Sequence, residues 1–108
     1  MPDTTPLITA ADRLADRLRA LPQSALRRGA AAEGLALARE LVLRAQRLEA
    51  PGEVPRVLPD AGLFATGDQL AVAANDFVEA LALAPPAERE DHLKEALALV
   101  RAAAQRIG

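Results

Sequence analysis

The segment VPRVLPDAGLFATGDQ, residues 54–69, decides how the helices of this chain are arranged. It contains two prolines, two glycines and one of the two phenylalanines of the chain, and it separates two runs of charged, alanine- and leucine-rich sequence. Because proline interrupts a helix and glycine weakens one, this segment cannot be helical throughout. Where its apolar side chains are buried determines the direction of the helix that follows.

Two amphipathic helices are predicted before this segment. The first begins near Thr5-Pro6, with Thr5 as its N-cap, and Pro22 ends it. Its apolar residues recur at intervals of four and three, as one face of a helix requires: Leu7, Ala11, Leu14, Leu18 and Leu21. The second helix spans about residues 24–50, and its apolar arc is wide enough for neighbours on two sides. A short connection around Pro22 predicts that the two helices are antiparallel.

Two further helices are predicted after it. The third begins at Thr66, because TGDQ matches a capping box with Thr66 as N-cap and Gln69 at the third helical position. Its apolar positions are Leu70, Ala73, Ala74, Phe77, Leu81 and Ala84. The fourth begins after Pro85-Pro86, with an apolar stripe of Leu93, Leu97, Val100, Ala104 and Ile107. Four amphipathic helices without a strand predict an all-α four-helix bundle, with residues 1–108 as a single domain.

The connection between the second and third helices, residues 51–65, allows two arrangements. Fully extended, it could reach about 50 Å and return along the whole bundle, so that the third helix would run parallel to the second. Alternatively, it could fold over one end of the core and bury Val57, Leu58, Leu63 and Phe64. The packed loop is the favoured interpretation, because long structureless loops are uncommon in compact domains unless they pack or bind.

The composition excludes several classes of protein. The chain has no cysteine, which excludes disulfides and thiolate metal sites and fits a cytoplasmic location. No apolar run approaches the ~20 residues that span a bilayer, so we expect no membrane span and no signal segment. Residues 1–50 carry eight arginines against six acids, whereas residues 51–108 carry five bases against nine acids. This mild asymmetry is not the strongly basic surface of a nucleic-acid-binding protein.

The glycines of the second helix are expected to serve packing. The segment GAAAEGLA, residues 29–36, superficially resembles a phosphate-binding loop, but Leu35 stands where that motif has lysine and no strand precedes it. We therefore expect Gly29 and Gly34 to let a neighbouring helix approach closely, within the bundle or at a subunit interface.

Residues suited to catalysis or metal binding are few. His92 is the only histidine, with Glu88 and Glu95 on the same side of the fourth helix, whereas di-iron bundles require Glu-x-x-His on two helices. The only serine, Ser24, lies at a predicted helix cap. The carboxylates of the third helix lie on its solvent face or flank: Asp68, Asp76 and Glu79. We expect no enzymatic activity, no metal and no cofactor.

Nucleic-acid binding is a less favoured hypothesis. The best basic cluster lies on the second helix: Arg27, Arg28, Arg39, Arg44 and Arg47. Glutamates are interspersed with these arginines, and the acidic third helix would repel phosphate.

Protein–protein interaction is the leading hypothesis. Several apolar or small residues lie off the core stripes or in the connection and are candidates for an interface: Gly34, Leu43, Phe64, Val72, Leu83 and Leu99. We expect a non-enzymatic interaction or scaffold domain whose partner is a protein, a second copy in a homodimer. The alternative is a bundle that binds a small molecule or metal in a pocket beneath the 51–65 connection, near Phe64 and Phe77.

Overall fold

The computed structural model describes all 108 residues, and the chain is helical with no strand. Its first half contains α1 (Thr5–Ala20), the short α2 (Gln23–Ala25), a π-helical turn (Leu26–Ala30) and α3 (Ala31–Glu49). Its second half contains α4 (Thr66–Leu81) and α5 (Arg89–Ile107), each preceded by one 3-10 turn (Leu63–Ala65 and Pro86–Glu88). The predicted all-α four-helix bundle is confirmed. None of these helices combines the length and the apolarity that crossing a bilayer requires.

Leucine and alanine fill the core around Phe77, which is completely buried. The predicted stripes of α1 and α4 are buried, except that Leu21 is half-exposed. The predicted stripe of α5 is partly wrong. Its buried residues are Leu93, Ala96, Val100 and Ala103, whereas Leu97, Ala104 and Ile107 are half-buried. Because α5 packs against both α1 and α3, its buried face is turned away from the predicted stripe: Ala96 and Ala103 join Leu93 and Val100 at the centre, and Leu97 and Ile107 lie along the flank.

Specific contacts fix the direction of each helix. The C-terminal end of α1 meets the start of α4, where Arg19 forms an ion pair of 2.8 Å with Asp68. These two helices are therefore antiparallel, and the hydrogen bond to Asp68 raises the pKa of Arg19 above its ordinary value. Two ion pairs of 2.8 Å make α5 antiparallel to α3: Arg44 with Glu95, and Arg106 with Glu33.

The bundle has an up-down-down-up topology. The start of α3 lies beside the start of α4, since Gly34 packs against Thr66, so α3 and α4 are parallel. The predicted first helix corresponds to α1, and most of the predicted second helix corresponds to α3. These two helices run in opposite directions, as predicted. However, α1 and α3 pack mainly against α4 and α5 rather than along each other. The helices joined by short connections therefore lie across the bundle from one another.

Two glycines permit the closest approaches of helices. A Cβ atom at Gly34 would lie 2.5 Å from Cγ2 of Thr66, and one at Gly67 would lie 2.8 Å from the backbone oxygen of Ala15. Gly29 has a different role from the predicted one, because no atom lies within 4 Å of its Cβ position. Its φ of 147° interrupts the second helix, which is thus kinked rather than continuous over residues 24–50.

The predicted helix caps are wrong in detail. Thr66 is the first residue of α4 rather than its N-cap, and its hydroxyl donates to the backbone oxygen of Leu63. The side chain of Gln69 donates to the backbone oxygen of Pro59, so no capping box forms. Likewise α1 begins at Thr5, whose N–H donates to Asp3. The side chains of Thr66 and Gln69 therefore bind the segment that precedes α4 instead of capping the helix.

Residues 50–62 form an extended strap that returns along α3. The favoured packed-loop interpretation is wrong for two of its four residues: Val57 and Phe64 are exposed, and only Leu58 and Leu63 pack partly against the core. The alternative, an extended connection that returns along the bundle, is correct. The strap runs from the end of α3 back to its beginning, so α4 is parallel to α3. A chain of this length can cover the distance only when it is largely extended.

Candidate interaction surface

Polar side chains of α3 and α4 hold the strap. The side-chain amide of Gln46 donates to the backbone oxygen of Arg56 at 2.7 Å and accepts the Arg56 N–H at 2.8 Å. Arg39 donates to the backbone oxygen of Leu58 at 2.8 Å, and Gln69 donates to that of Pro59 at 2.9 Å. These bonds hold the backbone of Arg56, Leu58 and Pro59 on the bundle, whereas the apolar side chains of Val54 and Val57 are 92% and 75% exposed.

The strap and the outer face of α3 together enclose an open groove of about 610 Å³. We call it the strap groove; its main lining residues are Leu35, Arg39, Leu43, Arg47, Arg56 and Val57. Leu35 and Leu43 come from α3 and Val57 comes from the strap, so the apolar part of the groove exists only when both elements are in place. An apolar floor beside arginines is a composition typical of protein interfaces.

The strap groove carries an excess of positive charge. Arg47 and Arg56 are exposed and take part in none of the five ion pairs of the chain. Arg39 is bound to a backbone oxygen and is paired with no carboxylate. The one carboxylate that lines the groove, Glu40, is paired with Arg44 at 3.0 Å. The groove is thus suited to an apolar ligand that also carries acidic groups.

The solvent side of α4 has the opposite character. Val72, Asp76 and Glu79 follow one another at helical spacings of four and three, so they form one stripe, which we call the acidic face. All three are exposed, and neither carboxylate forms an ion pair. In contrast, Asp68 is already engaged by Arg19. The chain therefore presents free arginines on one side of the strap and free carboxylates on the other.

The structure does not bring the predicted interface residues together. Leu43 lies in the strap groove, and Val72 lies in the acidic face. Phe64 and Leu83 are exposed at opposite ends of α4, at least ~24 Å apart at 1.5 Å per residue. Leu99 is half-buried against the core.

One of those candidates requires correction. Gly34 is buried between Leu18 and Thr66 within the bundle, so a partner chain cannot reach it. Its close helix approach occurs inside the chain rather than between subunits.

The predicted small-molecule pocket is not where the sequence placed it. Phe77 is completely buried in the core and Phe64 is 68% exposed, so the two rings share no cavity. The strap groove is larger than a second space beside the strap, which is about 190 Å³. No group of three histidine, cysteine or acidic side chains lies close enough to hold a metal ion.

The arginines proposed for nucleic-acid binding are also divided by the fold. Arg44 is held by Glu40 and Glu95, and Arg39 is bound to the strap. Arg27 and Arg28 are exposed before the start of α3. These side chains therefore do not form one continuous basic surface.

Three residues that matter for the surface were not singled out from the sequence as site residues. Gln46 and Gln69 anchor the strap, and Arg56 contributes charge to the groove. The only signal for them in the sequence is their position, on or beside an apolar segment that must be covered. Comparisons of the chain with protein-family models, with curated proteins and with solved structures found no match.

Proposed function

We propose that this chain is a non-enzymatic protein-interaction domain that self-associates through the surface around its strap. The observation that carries the proposal is the strap groove, an uncovered space of about 610 Å³ with an apolar floor and arginines at its rim. Burial of apolar surface drives association of proteins, and arginine is enriched where they meet. We also propose a cytoplasmic location, which a cysteine-free chain suits.

The size of the chain is compatible with such a contact. A stable interface buries about 800 Å² on each partner, roughly an eighth of the 6252 Å² that this chain exposes. The strap alone supplies Val54 and Val57, and the groove adds Leu35 and Leu43. Leu35, Leu43 and Val57 line the same groove, and apolar residues gathered in this way distinguish a binding region from singly exposed ones.

Sedimentation velocity tests the proposal over a concentration range of about a hundredfold, because a self-associating chain changes its mass by mass action. We expect the wild type to form a dimer and Leu43→Gln, which makes the groove floor polar without changing charge, to weaken it. Ala98→Gln on the exposed side of α5 is the matched control and should dimerise as the wild type does. A wild type that stays monomeric throughout overturns the proposal.

The volume of the strap groove also favours a second candidate, a small anionic amphiphile. Sites for small molecules commonly enclose ~300–1,000 Å³ and combine an apolar lining with a few polar groups. The probe is dodecanoate, measured by its effect on the melting temperature. A rise in the melting temperature of the wild type that Leu43→Gln abolishes supports this candidate. Wild-type melting curves that are equal with and without dodecanoate exclude it for this probe.

A further inference from the structure

The strap separates two surfaces of opposite charge. It is bound to α3 through Gln46 and Arg39, and to α4 through Gln69, so it lies between these two parallel helices on the outside of the bundle. The strap groove lies on its α3 side and the acidic face lies on α4. Along the surface, the order is therefore free arginines, exposed valines of the strap and free carboxylates.

This order is self-complementary under a two-fold rotation. If the axis passes near Val57, the strap groove of each copy meets the acidic face of the other. Any residue of the groove in one copy that contacts a residue of the acidic face in the other copy then makes the same contact a second time with the two copies exchanged, as a two-fold dimer requires. Val72 would enter the apolar groove, and the carboxylates of Asp76 and Glu79 would lie near the guanidinium groups of Arg47 and Arg56.

We propose that the partner of the strap groove is the acidic face of α4 in a second copy of this chain, so that each dimer contains the contact twice. This inference rests on the self-association proposed above and adds which two surfaces meet. Complementary charge decides between arrangements, because groove against groove or face against face would oppose like charges and disfavour association. Carboxylates also suit arginine geometrically, since a guanidinium group can bind both oxygens of one carboxylate.

A charge-exchange experiment tests the contact. In the groove variant, Arg47→Glu and Arg56→Glu reverse the charge of the groove while Arg39, which holds the strap, is kept. In the face variant, Asp76→Arg and Glu79→Arg reverse the charge of α4. Each variant alone opposes like charges in both contacts of the dimer. We therefore expect its dissociation constant to rise at least about tenfold relative to the wild type.

The mixture of the two variants is the decisive sample. In a mixed dimer, both contacts again join opposite charges, so an equimolar mixture should associate within about threefold of the wild type. The matched control reverses two exposed cations of α5, Lys94→Glu and Arg101→Glu, and changes the net charge as the groove variant does. This control should associate as the wild type does. Far-UV circular dichroism verifies that every variant is folded.

The results separate this inference from the proposal on which it rests. Loss of association in each variant, with recovery in the mixture, supports the contact. The contact is overturned if the wild type dimerises and neither variant weakens the dimer. It is also overturned if the variants lose association and their mixture does not recover it. Self-association of the wild type stands in both cases. A wild type that is monomeric overturns both.

Discussion

The substitution Gly67→Ala tests the close packing of α1 against α4. Gly67 is buried in the first turn of α4, and a Cβ atom there would lie 2.8 Å from the backbone oxygen of Ala15 and 3.0 Å from Cγ of Arg19. The backbone oxygen cannot move unless α1 moves with it. Overpacking costs about 1–3 kcal/mol, and a clash with a backbone atom belongs to the upper part of that range, about 2–3 kcal/mol. Alanine favours a helix over glycine by about 1 kcal/mol, which offsets part of this cost. The expected net loss of stability is about 1–2 kcal/mol.

Urea unfolding followed by far-UV circular dichroism measures this loss. For a domain of about 100 residues, each kcal/mol corresponds to a fall in Tm of roughly 4–8 °C. Gly52→Ala is the matched control, because no atom lies within 4 Å of its Cβ position and its φ is not positive; it should be neutral or slightly stabilising. If Gly67→Ala is as stable as the wild type, α1 and α4 do not approach as described and the reasoning fails.

Three further predictions concern the core, the strap and the first helix. Phe77→Ala should lower the free energy of unfolding by about 3–5 kcal/mol in urea, while exposed Phe64→Ala should change it by less than about 0.5 kcal/mol; equal losses would contradict the burial. Gln46→Ala removes both hydrogen bonds to Arg56, so limited trypsin digestion should cleave faster after Arg56 with the helical content unchanged; an unchanged rate would mean that other contacts hold the strap. The N–H of Thr5 lowers the pKa of Asp3, so this carboxylate stabilises the fold above the ordinary aspartate pKa, and that contribution is lost as pH falls through the lowered value. Asp3→Ala should remove this part of the pH dependence of the urea midpoint, and identical profiles would contradict it.

The sequence was sufficient to predict the helices but not their arrangement. Spacings of three and four residues identify the buried face of α1 and α4, because any helix with such a stripe must bury it. The same spacing does not reveal which helix covers the stripe. The 51–65 connection was long enough for α4 to run in either direction. The choice depended on whether Gln46 and Arg39 would bind the strap backbone, and both residue types are ordinary at exposed helix positions.

The candidate surface was only partly predictable for a related reason. Leu43 and Val72 were recognised as apolar residues outside the core stripes, and both lie on surfaces of the proposed contact. The charge asymmetry between the two halves of the chain also has a structural counterpart, in the arginines of the groove and the carboxylates of α4. The position of the strap could not be predicted from the sequence. The strap places Arg56 and Val57 opposite Leu43 and so completes the groove. A groove between distant segments exists only after folding.

The arrangement of the helices also governs how the chain can fold. Helices joined by a short connection lie across the bundle, and the extensive contacts of α1 with α4 and of α3 with α4 join residues far apart in the chain. Two helices joined by a short connection therefore cannot bury their apolar faces on each other and form a stable intermediate. Most apolar burial requires the strap to bring α4 back beside α3, which gives the chain a higher contact order than a simple up-and-down bundle. Folding should then be slower and more cooperative, and a fragment such as residues 1–50 should remain unfolded alone.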